Sequence, residues 1–220
     1  MIVELINNKT NCKECQCWNK IEVKALVDFL SQTSRPVFLK AAEAVVQYPQ
    51  PVTPNEIIEF FIGSLTQEQQ KYQSELTQVA KLLNDLMESI APQEDYNDIR
   101  GAIVESFVAK FLFNEFVNHK HHCLIKIDDT LVDAGKSIDV AGWENENHGE
   151  FHECKAKWFN YRFDQNKYQF LKNLKSLVGV GNIVAVSVFG KVEPRVIDDY
   201  AQDGIIHYDR SALAEKFLPL

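Results

Sequence analysis

Asp139, Glu153 and Lys155 are the residues whose types and spacing hold the most chemistry in this 220-residue chain. The runs Lys136 to Trp143 and Glu150 to Trp158 flank Glu144-Asn145-Glu146-Asn147-His148-Gly149, a segment rich in turn formers, so the stretch predicts a β-hairpin. Side chains alternate along a strand, which sends Glu153 and Lys155 to one side and His152, Cys154 and Ala156 to the other. Asp139 stands on the partner strand among Ile138, Val140 and Ala141, where a carboxylate is costly unless paired or bound to a cation. Converging on one sheet face, these groups predict a site rather than a solvated surface. Carboxylates are ligands for hard cations, and an ammonium group beside them stabilises developing negative charge.

Other elements must position this set. Residues 96 to 118 predict a helix with Asn97 or Asp98 as N-cap, and the run Ile99 to Phe113 is apolar nearly all round, as in a buried helix. Glu105 shares a face with Ala102, Ala109 and Leu112 and has no basic residue at i±4, so it needs a cation or a hydrogen-bond network from elsewhere. A strand is expected from Leu124 to Val132, with His119-Lys120-His121-His122 as a solvated loop before it. After the hairpin, a helix capped by Asp164 runs to Val178, Asn182 to Phe189 is a buried strand, Gly204 to Asp209 a short one, and Ser211 caps a closing helix.

This arrangement resembles the PD-(D/E)XK superfamily of restriction-endonuclease-like nucleases. Asp139 matches the first acid and Glu153-Cys154-Lys155 the E-x-K element, with Ser137-Ile138 where the proline of the name would stand. Arg100-Gly101 followed by Glu105 matches a lead-in to the helix glutamate that completes the metal site in that superfamily. The resemblance covers residues 96 to 210. It implies an α/β fold with an αβββαβ core, a mixed central sheet flanked by helices, in a nuclease domain over residues 96–220. It further implies Mg²⁺ or Mn²⁺ held by Glu105, Asp139, Glu153 and the Cys154 carbonyl, with Asp139, Glu153 and Lys155 as the catalytic set. The reaction implied is hydrolysis of DNA phosphodiesters to 5′-phosphate and 3′-hydroxyl ends.

Residues 1–95 predict an N-terminal all-α domain. Ile21 to Leu30, Phe38 to Val46, Glu56 to Leu65 and one long helix from Thr66 to Ile90 show helical spacing, and Thr53-Pro54 marks a helix start. This half holds eight Lys and Arg against thirteen Asp and Glu, which does not favour nucleic-acid binding and suits docking of a protein partner. Cys12, Cys15 and Cys17 could ligate zinc, although no second pair stands near them; the alternative is a loop of thiols.

The formal charge of −8 and a pI near 5.3 argue against general polyanion binding. A local exception runs from Lys155 to Ser176, with six basic residues against Asp164 alone. Lys157, Arg162, Gln165, Lys167 and Lys172 are therefore the expected nucleic-acid contacts. Gln165 with Tyr168 also resembles, at a different spacing, the Gln and Tyr motif of some exonuclease relatives. The absence of a signal-peptide pattern or membrane span, with five cysteines, predicts a cytoplasmic protein.

Together these readings predict a metal-dependent endonuclease of a bacterial defence or restriction-type system, homodimeric if it cuts both strands. The alternatives are a non-catalytic nucleic-acid-binding or assembly subunit, and a junction-resolvase or repair nuclease.

Overall fold

The computed structural model describes residues 1–7, 17–48, 53–63, 65–91, 95–156 and 165–218. Strand β1 (Val3–Asn7) is followed by helices α1 (Ile21–Leu30), α2 (Arg35–Gln47), α3 (Pro54–Ile62), α4 (Gln67–Gln70), α5 (Gln73–Glu88) and α6 (Tyr96–Glu115). Then come β2 (Asn118–Ile127), β3 (Thr130–Leu131), β4 (Ile138–Asn145), β5 (His148–Lys155), α7 (Gln165–Val178), β6 (Ile183–Val188), α8 (Pro194–Gln202), β7 (Ile206–Tyr208) and α9 (Arg210–Phe217). The architecture is mixed α/β: N-terminal helices, then a mixed sheet flanked by helices.

The sheet order is β1-β2-β4-β5-β6-β7, with β3 paired to β2 off that path. Pairing is antiparallel from β1 through β5 and parallel from β5 through β7. One face carries α6 and α9, and the N-terminal helices pack beyond α6 in a core that includes Leu26, Phe38, Phe61, Leu83, Phe107, Val140, Cys154 and Leu213. The other face carries α7 and α8 over Ala141, Phe151, Val184, Val186 and Val188. Helix α6 is buried at Ile99, Ala102, Ile103, Val104, Glu105 and Phe107, as its all-round apolar run requires.

Several expectations need correction. Residues 1–95 are not wholly helical, because Val3–Asn7 pairs with β2 from Val3↔Ile127 to Asn7↔Cys123. Five residues are too few to show a period, and their partner lies far along the chain. The expected long helix from Thr66 breaks: a capping box of Thr66 and Gln69 starts α4, and a turn at Lys71 and Tyr72 precedes α5. Strand β2 starts at Asn118, so His119 to His122 lie in the sheet rather than in a loop. It ends at the turn of Asp128 and Asp129, both at positive φ, which leaves only Thr130–Leu131 as β3.

The N-caps of α6 and α9 are Asp95 and Asp209, each accepting amide hydrogen bonds, in place of Asn97 or Asp98 and of Ser211. Helix α8 was not expected, yet parallel strands β6 and β7 need a crossover between them, and α8 with Pro194 in its first turn supplies it. The expected cap Asp164 lies outside the described residues.

Candidate active site

The antiparallel ladder between β4 and β5 runs from Asn145↔His148 to Val140↔His152 and stops there. In the same register the next opposed pair is Asp139 and Glu153, which therefore share a sheet face at the point where the two strands part. Asp139 Oδ2 accepts the backbone N–H of Cys154 at 2.8 Å, so its carboxylate takes a hydrogen bond across the gap. Strand β5 stays paired to β6 as far as Lys155↔Val188, which keeps Glu153 and Lys155 on a rigid element.

Glu153 is fully buried (0 %) and Asp139 nearly so (7 %). Lys155 Nζ donates to Glu153 Oε1 at 2.6 Å. Lys167 Nζ, from the first turns of α7, lies 2.8 Å from Glu153 Oε2 as an ion-pair contact and donates to the Ser137 carbonyl at 2.9 Å. Burial above all, then Asp139, raises the Glu153 carboxyl above the usual range, against the pull of Lys155 and Lys167. Burial alone would lower Lys155, but Glu153, Asp139 and Glu105 outweigh it and raise its pKa, so the ammonium stays charged. Burial, joined by Asp139, Glu105 and Glu153, holds the Cys154 thiol well above its ordinary value. That sulfur is thus a protonated core atom and no thiolate ligand.

Glu105 is 4 % exposed, and its Oε2 accepts from His122 Nε2 at 2.8 Å. Sequence reasoning found the glutamate but missed its partner. The flanking pairs His121↔Val140 and Cys123↔Ile138 set His122 opposite Asp139, and its φ is +45°. The available signal was the apolar run from Cys123 onward, which a strand beginning upstream would share. Glu105 and Asp139 act together on Lys155 and Cys154, so the three acids occupy one electrostatic neighbourhood. Among the described residues, however, no three His, Cys, Asp or Glu groups stand together at metal-holding distance. The donor set is nonetheless of the kind a hard divalent cation takes: three buried carboxylates, two of them on opposed positions of diverging strands.

The expected nucleic-acid contacts divide. Gln165 is exposed at the start of α7, whereas Lys167 points to Glu153 rather than outward. Lys172 pairs with Asp203 at 2.9 Å, and the Tyr168 hydroxyl also donates to Asp203. Lys157 and Arg162 lie outside the described residues. Of the thiols proposed for zinc, Cys12 and Cys15 lie outside them too, and Cys17 is buried against the helical core. The histidines of β2 do not converge on one point: His119 stacks on Phe113 and His121 on Trp18, each at 4.1 Å between ring centroids. No helix among the described residues is long and apolar enough to cross a membrane.

No protein-family model and no curated protein matches the chain. Among solved structures, the fold aligns with VC1899 from Vibrio cholerae at a TM-score of 0.47 and 15 % identity, covering 97 % of this chain and 56 % of that one. It also aligns with Can2 from Sulfobacillus thermosulfidooxidans, solved in complex with cyclic tetra-adenylate, at a TM-score of 0.45 and 12 % identity, covering 99 % and 56 %. The match thus runs over nearly the whole chain but only about half of either structure.

Proposed function

We propose that the chain is a divalent-metal-dependent nuclease that hydrolyses DNA phosphodiester bonds, an endonuclease of a defence or restriction-type system. The observation that carries this reading is the opposition of Asp139 and Glu153 where β4 and β5 part, with the Lys155 ammonium 2.6 Å from Glu153. Three buried acids gathered at one end of the sheet are costly to keep, which favours a cation site over a plain binding surface.

Asp139, Glu153 and Glu105 are the residues that would hold Mg²⁺ or Mn²⁺, with the Cys154 carbonyl as a further oxygen. The bound ion supplies a lowered pKa for its water and neutralises charge on the phosphoryl oxygens. The protein's own groups do the rest. The Cys154 amide fixes the rotamer of Asp139, and Glu153 is held inward on a strand anchored by β6. Lys155, protonated, donates to the attacking water or to a non-bridging phosphate oxygen and stabilises negative charge there; it is poorly suited to take up a proton. Gln165, at the exposed end of α7, with Lys157 and Arg162 ahead of it in sequence, would meet the flanking phosphates. A homodimer would bring two such sites to a duplex, and the acidic N-terminal helices would receive a protein partner.

Incubation with supercoiled plasmid and Mg²⁺ tests this. Wild type is expected to nick or linearise the plasmid, with about 100-fold or greater loss in Asp139→Ala and Lys155→Ala. Cleavage that persists in both variants would refute the assignment.

A further inference from the structure

Glu153 is held by two ammonium groups from different elements. Lys155 follows it on β5, two residues on, and reaches Oε1. Lys167 comes from α7 and reaches Oε2 while also donating to Ser137, two residues before Asp139. One lysine therefore ties β5 and the residue that leads into β4 to the helix beside them. A second tie runs the same way, since Lys136 Nζ donates to the Asn166 carbonyl at 2.9 Å. Both oxygens of the carboxylate that would receive a divalent cation are thus already met by monovalent ones. The two contacts differ in origin: Lys155 reaches Oε1 from the strand that carries Glu153, whereas Lys167 reaches Oε2 from a separate helix. The lysine on the separate helix is the one that can withdraw without moving β5.

We propose that Lys167 is a positioning residue that stands in for the divalent ion in the metal-free protein, holding the Glu153 carboxylate turned inward until the ion displaces it. The inference rests on the nuclease reading and adds a regulation of the same site. A fully buried carboxylate opposite Asp139 is costly without a cation beside it, and Lys167, 2.8 Å from Oε2, is one of the two present. The arriving ion must therefore compete with an ammonium group already in place. Release of that group leaves the Lys167 charge on α7, beside the acids, where it is available to a phosphate. Metal loading and phosphate engagement are thereby coupled through one side chain.

Mn²⁺ titration of the full chain without nucleic acid, followed by calorimetry and by the EPR signal of free Mn²⁺, separates this from a plain substrate contact. Removing the competing charge in Lys167→Met should tighten Mn²⁺ binding about tenfold or more, while lowering the thermal midpoint of the metal-free protein. Lys167→Gln carries the same prediction should the methionine variant fail to fold. Lys167→Arg, which keeps the charge, should bind within about threefold of wild type, as should Lys172→Gln on the same helix. A purely structural role for Lys167 would weaken Mn²⁺ binding on its loss, and a role confined to substrate would leave binding unchanged; either result overturns the proposal. If wild type binds Mn²⁺ and Asp139→Ala abolishes it, an unchanged Lys167→Met sinks the clamp alone. If wild type binds none, the nuclease reading and the clamp fall together.

Discussion

His122 holds its backbone at φ +45°, a left-handed conformation uncommon for a residue with a Cβ, and its imidazole meets the buried Glu105 carboxylate. With Glu105 ionised, Nε2 carries the proton and donates it. Such strain persists where the surroundings over-determine it, here where β2 and β4 flank an acid of the site. His122→Ala removes the donor and leaves Glu105 with a poorer set of partners. A loss of about 1–3 kcal/mol in unfolding free energy is expected, read from urea denaturation, with a fall in metal-dependent cleavage. Unchanged stability would mean that the pair contributes nothing net. The residue scale is also where sequence reading reached furthest. Asp139, Glu153, Lys155 and Glu105 each stand out against apolar neighbours, and a buried charge advertises itself locally. His122 and Lys167 do not, because their meaning lies in partners 17 residues away for one and 14 for the other.

At the level of elements, the site depends on how closely α6 approaches β4. A Cβ on Gly142 would lie 2.3 Å from Cδ2 and 3.0 Å from Cβ of Phe116, the buried residue that ends α6. Because the Phe116 Cβ cannot swing away, Gly142→Ala must push the helix end off the strand. A destabilisation of about 1–3 kcal/mol is expected from overpacking, measured by the urea midpoint, and a neutral result would show that the helix end yields. The hairpin and α6 were legible because each announces itself within 20 residues, one by alternation around a turn, the other by an apolar run. Strand β1 was not, since its pairing with β2 is a long-range event that five residues cannot foreshadow. Helix α8 was missed for a related reason: its need arises only once β6 and β7 are known to be parallel.

For the whole molecule, pH dependence of stability follows from buried groups other than the acids of the candidate site. Burial pushes His207 down to about 4 from 6.5, and its ring nitrogens make no hydrogen bond among the described residues. The unfolded chain therefore takes up a proton first as pH falls, so stability is intact above about 6.5 and declines between there and about 4, by on the order of 3 kcal/mol. His207→Phe should flatten that decline, seen by comparing urea midpoints at pH 7.5 and 5; an equal decline in both proteins would assign it elsewhere.

Glu150 acts in a lower window. Burial would raise it, but His152 Nε2 at 2.9 Å and Lys216 Nζ at 2.8 Å prevail and bring it to about 2. Its contribution is present above 4.5 and is lost as pH falls towards 2. This network fastens α9 to β5 on the face opposite Glu153, so the strand that carries the site is braced from both sides.

The most direct trial of the account is an anomalous difference map from crystals grown with Mn²⁺. A single strong peak is expected between the Asp139 and Glu153 carboxylates, on the side of the sheet where Lys155 lies, with the Lys167 ammonium drawn away from Glu153. A peak elsewhere, with both lysines still on Glu153, would contradict it.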